Sequence, residues 1–490
     1  MSTAVSLPVD PIVQEAADAA RGLASAGLPR RAELLTALAD ELDRATDSLS
    51  RLAHEESHLP LARLQGEIGR TSGQLRLFAR VLAEGSYLDA TIDTETVDTR
   101  SLRIPLGPVV VFAASNFPFA FSVLGGDTAS ALAAGCPVIV KAHEGHPRTS
   151  RATAALVHAV LERLDWPAGT FALVEGREAG IAALRDARVA AGAFTGSEAG
   201  GLALQAIAQG RPVPIPFYAE MGSLNPVIVS PGAAEARTAE IATGFTVSMT
   251  LGSGQFCTKP GIVWVPEGHR LAEPIRTALR EAVPGRLLTD SIRDRHEQIR
   301  RTLSSAPGVE VLADGVPAQD GAVSPRVLTF RASDFVENTG TLLTECFGPT
   351  AILVTYRDED ELHRGLRLMP GGLTSTVHAE ADEDAFVTAV TEQMVALSGR
   401  VVHGGWPTGV AVNWSMHHSG PHPASSTPAH TSVGARSIDR FTRPVCFQGY
   451  PDRLLPEALR DRNVLGIPRR VNGTLTTEDL PAPSAHTVPH

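Results

Sequence analysis

Cysteine is scarce in this chain: four among 490 residues (Cys136, Cys257, Cys346, Cys446), with no CxxC spacing and no companion histidines at zinc-finger intervals from them. That excludes a disulfide-stapled scaffold and points to a reducing, cytoplasmic setting. Long apolar runs are missing as well. The most apolar stretch, Thr128 to Val140, is too short for a bilayer and is broken by Gly135 and Pro137, so no membrane association is expected. The net charge of −11 comes from acids and bases mixed along the chain, without a Lys/Arg block to follow a phosphate backbone, and nucleic acid is not an expected partner. The opening residues MSTAVSLPVDPIVQEAADAA have no basic patch ahead of an apolar core, so no export or transit signal is expected. Internal repeats are absent too.

What is present is a chain with 43% hydrophobic residues, long enough for two or three domains. Helical periodicity predicts amphipathic helices over Arg31 to Glu41, Asp47 to Glu55 and Arg63 to Ala83. From Tyr87 to Pro105 the pattern turns to short β-type alternation, which suits a hairpin or assembly arm. Between Gly107 and Val229, apolar β-branched runs (VVVFAA, CPVIVKA, TFALVE, RVAAGAFTG, IPFYAE) alternate with helix-like stretches. That βαβ rhythm implies a parallel sheet covered on both faces, with ligands beyond the carboxyl ends of its strands. A second α/β segment runs from Ala234 to about Arg443, with strands near GIVWVP, TAILVTY and TSTVHAE; the Pro-, Ser-, Thr- and His-rich tail from Thr476 is expected to be disordered.

Four short motifs bear chemistry. In GSGQFC, glycines flank Cys257, a setting that presents a thiol to a cleft, although an isolated cysteine also reads as a small buried hydrophobe. Glu220 closes the apolar strand IPFYAE, either as a site carboxylate or as a solvated or capping one. Asn116 in ASNFP follows the strand VVVFAA, either as a turn residue or as a donor to a developing oxyanion. FTGS, Phe194 to Ser197, precedes a helix predicted over Glu198 to Gln209, whose free N–H groups suit phosphate oxygens; Gly196, Gly200 and Gly201 allow close approach, but GxGxxG is absent.

In this order the four motifs resemble the aldehyde dehydrogenase superfamily, from about Arg30 to Gly473, with further marks at Lys141 in VIVKAHEGHP, Glu345 and Phe347 in ECFGP, and GWPTG at Gly405 to Gly409. GEIGRTSGQLRLFA, ASNFPFAFSVLGGDTASALAAGCPVIVKAH, AEMGSLNPV, GSGQFCTKPG and GWPTGV look like the branch of α-ketoglutaric semialdehyde (2,5-dioxopentanoate) dehydrogenases and their long-chain aldehyde relatives. The resemblance implies an NAD(P)-binding Rossmann-type domain (1–86 and 107–233), a second α/β catalytic domain (234–443) and a small β oligomerisation arm (87–106 and 466–475), with 476–490 as a tail. It further implies a homodimer or homotetramer.

Carried over by position, Cys257 is the nucleophile, Asn116 and the Cys257 N–H hold the oxyanion, and Glu220 activates water for thioester hydrolysis. Phe194, Thr195, Gly196, Ser197 and Gly200 fall on the cofactor, with Ser197 at the pyrophosphate, Lys141 and Glu144 at the adenosine ribose, and Glu345 with Phe347 at the nicotinamide ribose. Glu144 departs from the small hydroxyl residue common in the branch; a carboxylate accepts from ribose hydroxyls and repels a 2′-phosphate, so NAD is expected over NADP.

For the substrate, Arg70 falls at a tunnel-facing position, either as a clamp for a distal carboxylate or as a solvated helix arginine; Phe117 and Trp414 are further pocket candidates. Ala411, Asn413 and Trp414 depart from the branch, which leaves medium- or long-chain and aromatic aldehydes as alternatives. His417, His418, His422 and His430 cluster in sequence, but the family places this loop at the substrate entrance, and no metal is expected. Two rivals remain: an acylating enzyme that passes its thioester to coenzyme A, which Glu220 argues against, and a non-catalytic binding protein with this fold.

Overall fold

A computed structural model describes residues 9–319 and 321–480. The first parallel sheet has five strands in the order Phe171–Val174, Val138–Lys141, Val109–Phe112, Ala191–Thr195, Phe217–Glu220. Its inner strands are unbroken apolar runs because both faces are covered. Val109 and Val111 pack with Leu38, Leu75 and Leu132 on one side, whereas Val110 and Phe112 pack with Val13, Leu184 and Phe217 on the other. The chain order reverses between Val109–Phe112 and Ala191–Thr195, so a ligand crevice opens beyond their carboxyl ends.

The second sheet has seven strands, ordered Glu310–Asp314, Arg326–Arg331, Thr350–Tyr356, Ile262–Pro266, Val227–Val229, Gly372–His378, Ser398–His403. All neighbours are parallel except the antiparallel edge strand Glu310–Asp314. It too is buried on both faces: Ile228, Trp264 and Val354 face one apolar layer, Val227, Val263 and Leu353 the other. A third sheet, ordered Thr442–Gln448, Thr99–Pro105, Thr91–Asp93, Arg469–Val471, Thr474–Thr476, contains the expected hairpin, with Thr91 opposite Ser101.

Several sequence boundaries shift. Val227–Val229 lies within the second sheet, so that unit starts before residue 234. After Ser398–His403 the chain leaves the second sheet: Met221 N donates to Ala424 O (2.8 Å) and Ser426 N to Ala219 O (3.0 Å), which binds this crossing segment to the last strand of the first sheet. Thr442–Gln448, expected at the end of the second α/β unit, pairs with Thr99–Pro105 instead. A helix at Val9–Ser25 precedes those expected, which lie at Leu28–Arg44, Thr46–Ser57 and Leu61–Glu84. Of the tail, Thr476 ends a strand and Leu480 N donates to Asp461 O (2.8 Å), an ordered start where disorder was expected; 481–490 lie outside the described residues. Among the described residues no helix is long and apolar enough to cross a membrane.

Candidate active site

The Cys257 loop is held by unusual backbone. Gly252, Ser253 and Gly254 all have positive φ (56°, 58°, 69°), a conformation that favours glycine, and a Cβ on Gly254 would run into the Gly348 backbone. Gln255 is fully buried and anchors the turn: Leu288 N donates to its Oε1 (2.9 Å), and its Nε2 donates to Gly252 O (3.1 Å). Asn225, also fully buried and at φ 49°, donates through Nδ2 to the carbonyls of Cys257 (2.7 Å) and Lys259 (3.0 Å). The thiol is thus fixed from both sides of the chain.

Glu220 is the last residue of its strand and is buried at 5% exposure. Ser432 Oγ donates to its Oε2 (2.6 Å), and His418 Nε2 lies 3.1 Å from its Oε1. The same Nε2 lies 3.6 Å from Cys257 Sγ, and the carboxylate, sulfur and imidazole nitrogen are all within 4.8 Å of one another. Burial alone would raise the Glu220 pKa, but His418, Ser432 and the Cys257 thiol hold it below the usual carboxylate value. Burial pushes the Cys257 thiol well above its usual range, and the charges of Glu220 and Glu345 act in the same direction, opposed by Arg400.

Asn116, buried in the turn after its strand, donates one amide proton to Gln255 O (3.0 Å) beside the thiol. No protein group among the described residues accepts the Cys257 N–H. Glu67, which sequence reasoning passed over, supports this turn from below: its buried Oε1 accepts from Phe119 N (2.8 Å) and Ala120 N (2.9 Å).

One cleft of ≈ 1480 Å³ is lined by Asn116, Lys141, Glu144, Phe194, Thr195, Gly196, Ser197, Gly200, Glu220, Cys257, Glu345 and Phe347. Every expected catalytic and cofactor residue therefore meets in a single place. A dinucleotide fits its lining: Thr195 Oγ1 is buried without a partner, and a Cβ on Gly196 would come 2.5 Å from the Phe194 ring, so the backbone stays open there. Ser197 caps its own helix, accepting from Gly200 N at 3.3 Å, so its side chain is engaged by the helix as well as facing the cleft. Lys141 Nζ pairs with Glu144 Oε2 (3.0 Å); partial burial opposes it, yet His143 and Lys141 bring the Glu144 carboxyl down to about 2. Burial, against Lys259, raises the Glu345 carboxyl to about 7.

The expected substrate residues divide. Arg70 points into the protein: its guanidinium lies 5.3 Å from the Phe121 ring centroid, with Nη1 and Nη2 buried and, among the described residues, unpaired. Phe117 packs at 5.2 Å against Phe256 and at 5.3 Å against Phe121. Arg63, not anticipated, sits over Phe256 (4.8 Å) and Phe117 (5.2 Å), donates to Asn116 O (2.8 Å), and leaves Nε and Nη1 buried and unpaired. Trp414 does not join them; it is 43% exposed, because its loop turns outward after GWPTGV. His417, His422 and His430 do not converge with His418, whose partners are the thiol and Glu220.

His418, Ser432 and Asn225 are the main residues that sequence reasoning missed as parts of the site. The HH doublet was the available signal for His418, but it lies in a loop without periodicity, 161 residues from Cys257.

Two parallel sheets sharing one cleft, with a thiol and a carboxylate face to face at its inner end, are the arrangement of an NAD(P)-dependent aldehyde dehydrogenase. The chain belongs to the aldehyde dehydrogenase family, whose model matches residues 2–420, and is accordingly an aldehyde-oxidising oxidoreductase. It is 46% identical over 459 residues, 91% of this chain and 87% of the relative, to alpha-ketoglutaric semialdehyde dehydrogenase 2 of Azospirillum brasilense. Identity to alpha-ketoglutaric semialdehyde dehydrogenase of Acinetobacter baylyi is 40%, over 91% of this chain and 87% of that one. Among solved structures, 3,6-anhydro-L-galactose dehydrogenase in complex with NAP aligns with a TM-score of 0.77 at 20% identity, over 90% of this chain and 91% of that one. Proline utilization A of Bradyrhizobium japonicum aligns at 0.79 and 22% identity, over 91% of this chain and 45% of that one. Both structures share the fold.

Proposed function

We propose that this enzyme oxidises α-ketoglutaric semialdehyde to the corresponding dicarboxylate, with NAD preferred over NADP and water rather than coenzyme A as the final acceptor. The observation that carries the chemistry is the convergence of Cys257, Glu220 and Asn116 in one cleft. The Cys257 thiolate attacks the aldehyde carbon, forming a C–S bond while the carbonyl pair moves to oxygen. Asn116 has a second amide proton for that oxyanion, and the Cys257 N–H is the other donor. A nicotinamide held in this cleft would serve as hydride acceptor, so that loss of the thiohemiacetal C–H as hydride, with the oxyanion pair returning to re-form C=O, leaves a thioester on Cys257. Glu220 takes a proton from water as the new C–O bond forms and the C–S bond breaks, which frees the acid and restores the thiol.

The substrate assignment rests on Arg63 and Arg70, two turns apart on the helix Leu61–Glu84, each with unpaired buried guanidinium nitrogens, Arg70 feeling the Cys257 charge and Arg63 lying over the neighbouring Phe256 ring. Leaving such donors unpaired is costly, and a distal carboxylate or ketone oxygen satisfies them. The names of the relatives support the same substrate. Glu144 supports NAD, because an ionised carboxyl beside Lys141 disfavours a 2′-phosphate. Assembly into a homodimer or homotetramer through the third sheet, and action in the cytoplasm, are parts of the same reading.

The test is a kcat/KM panel of α-ketoglutaric semialdehyde, pentanal and benzaldehyde with NAD and NADP, against a Cys257→Ala control. The semialdehyde with NAD is expected to lead. Equal efficiency for pentanal removes the clamp, parity with NADP removes the Glu144 argument, and a requirement for added coenzyme A removes hydrolysis.

A further inference from the structure

We propose that His418 is a catalytic residue, whose Nε2–H is shared between the Cys257 sulfur and the Glu220 carboxylate and stabilises whichever of the two carries the negative charge. This rests on Cys257 being the nucleophile and adds a third group to its chemistry. Nε2 stands 3.6 Å from Cys257 Sγ in a hydrogen-bonding orientation and 3.1 Å from Glu220 Oε1, which is buried without a formed hydrogen bond among the described residues, so a turn of the ring is what brings the N–H from sulfur to the carboxylate. The ring is fully buried and held from its backbone: His418 N donates to Thr431 Oγ1 (2.8 Å), and Ser432 N donates to His418 O (3.0 Å). Nδ1 is buried with no partner among the described residues. An unpaired acceptor nitrogen costs less than an unpaired N–H, which places a ring proton on Nε2, the nitrogen that faces the chemistry.

The proton balance then closes without separating charge in a buried site. In the resting enzyme Glu220 is ionised, with Nε2 3.1 Å from its Oε1. When Cys257 ionises, its S–H bond breaks and an O–H bond forms on Glu220; the negative charge moves to sulfur and the Nε2–H follows it. Once the thioester has formed, sulfur is neutral, Glu220 releases its proton to solvent, and the Nε2–H returns to the carboxylate. Glu220 is then ionised and able to take a proton from water. The other charged groups around the pair do not do this. Glu345 opposes the thiolate, Arg70 and Arg400 favour it from a distance, and Asp127 behind Glu220 is paired with Arg440 at 2.7 Å. Ser432 reaches only Glu220 Oε2 and the His418 carbonyl.

The experiment is the pH profile of Cys257 alkylation by iodoacetamide in the full chain, for wild type, His418→Ala and His418→Asn, with Cys257→Ala as the labelling control. Loss of one charge-directed donor is expected to move the inflection upward by about one pH unit and to lower the neutral-pH rate about tenfold, with the KM for the nucleotide changed less than about twofold. Asn is too short to restore the contact and keeps the site polar, so it guards against a fold defect in the Ala variant. In wild type, burial and the Glu220 charge hold the inflection above the free-thiol value of about 8.5, and both variants are expected to lie higher still. A profile that neither variant shifts overturns the role of His418. Turnover that survives Cys257→Ala overturns instead the nucleophile reading beneath it, so the two failures are told apart.

Discussion

Asn225→Ala and Asn225→Gly together measure how firmly the thiol loop is held. The Asn225 amide donates to Cys257 O and Lys259 O, while its Oδ1 accepts from Ser223 Oγ (2.9 Å), Thr374 Oγ1 (3.1 Å) and Thr374 N (3.2 Å). Either variant removes the whole side chain and leaves the Cys257 and Lys259 carbonyls and the Thr374 N–H without this partner in a dry region. At about 1–3 kcal/mol for each of these three buried groups left unsatisfied, the loss is about 3–9 kcal/mol, a large share of the roughly 5–15 kcal/mol that holds a typical domain together. Alanine carries a second penalty of about 1 kcal/mol because the residue sits at φ 49°, which glycine tolerates. Gly is therefore expected to unfold at a higher denaturant midpoint than Ala, and both below wild type. Both should also lose about 100-fold in kcat, because releasing the Cys257 carbonyl lets the sulfur drift by about 1 Å. Denaturant titration gives the stability order, and iodoacetamide labelling of Cys257 reports the loop directly. Wild-type labelling rates together with indistinguishable midpoints for Ala and Gly would refute the reasoning.

Glu220→Gln removes both the acceptor of the thiol proton and the base for hydrolysis, so acylation should slow and hydrolysis should slow further; rapid mixing should then show a slowed burst of about one reduced nicotinamide per site, and steady turnover without a burst argues against the assignment. Arg70→Glu should raise KM for the semialdehyde by at least about tenfold while leaving pentanal nearly unchanged, and equal effects on both substrates exclude a carboxylate clamp. Glu345 makes a pH prediction with a definite sign. Its folded carboxyl, at about 7, lies above the ordinary 4.5, so its contribution favours the fold most below about 4.5, declines as pH rises to about 7, and is flat beyond. Relative to Glu345→Gln, wild type should lose about 3 kcal/mol across that window in the cofactor-free protein; parallel stability curves for the two proteins contradict a raised carboxyl.

The covered sheets were readable in the sequence because strands buried on both faces become continuous apolar runs. VVVFAA and IPFYAE accordingly fell where expected, and with them Asn116 and Glu220 at the strand ends. The helix over Glu198–Gln209 was likewise marked by its capping Ser197 and its glycines. The hairpin through Thr91–Asp93 and Thr99–Pro105 showed in alternation alone. What escaped lay in segments without a period. The chain from Gly404 to Phe441 has little regular structure, so nothing local marks His418 and Ser432 as partners of Glu220, and Trp414 looked like a pocket residue by its chemistry while its loop turns outward. Val227–Val229 and Thr442–Gln448 are strands whose sequence is plain but whose choice of sheet depends on distant neighbours.

The segment that crosses back after Ser398–His403 sets an order of events during synthesis. By residue 403 a ribosome has delivered every strand of both parallel sheets, together with Cys257, Glu220 and Asn116. A chain halted there would own the sulfur and the acid but not the imidazole and hydroxyl that contact the acid. The full set of contacts around the thiol and the acid is therefore complete only when some thirty further residues have emerged and docked.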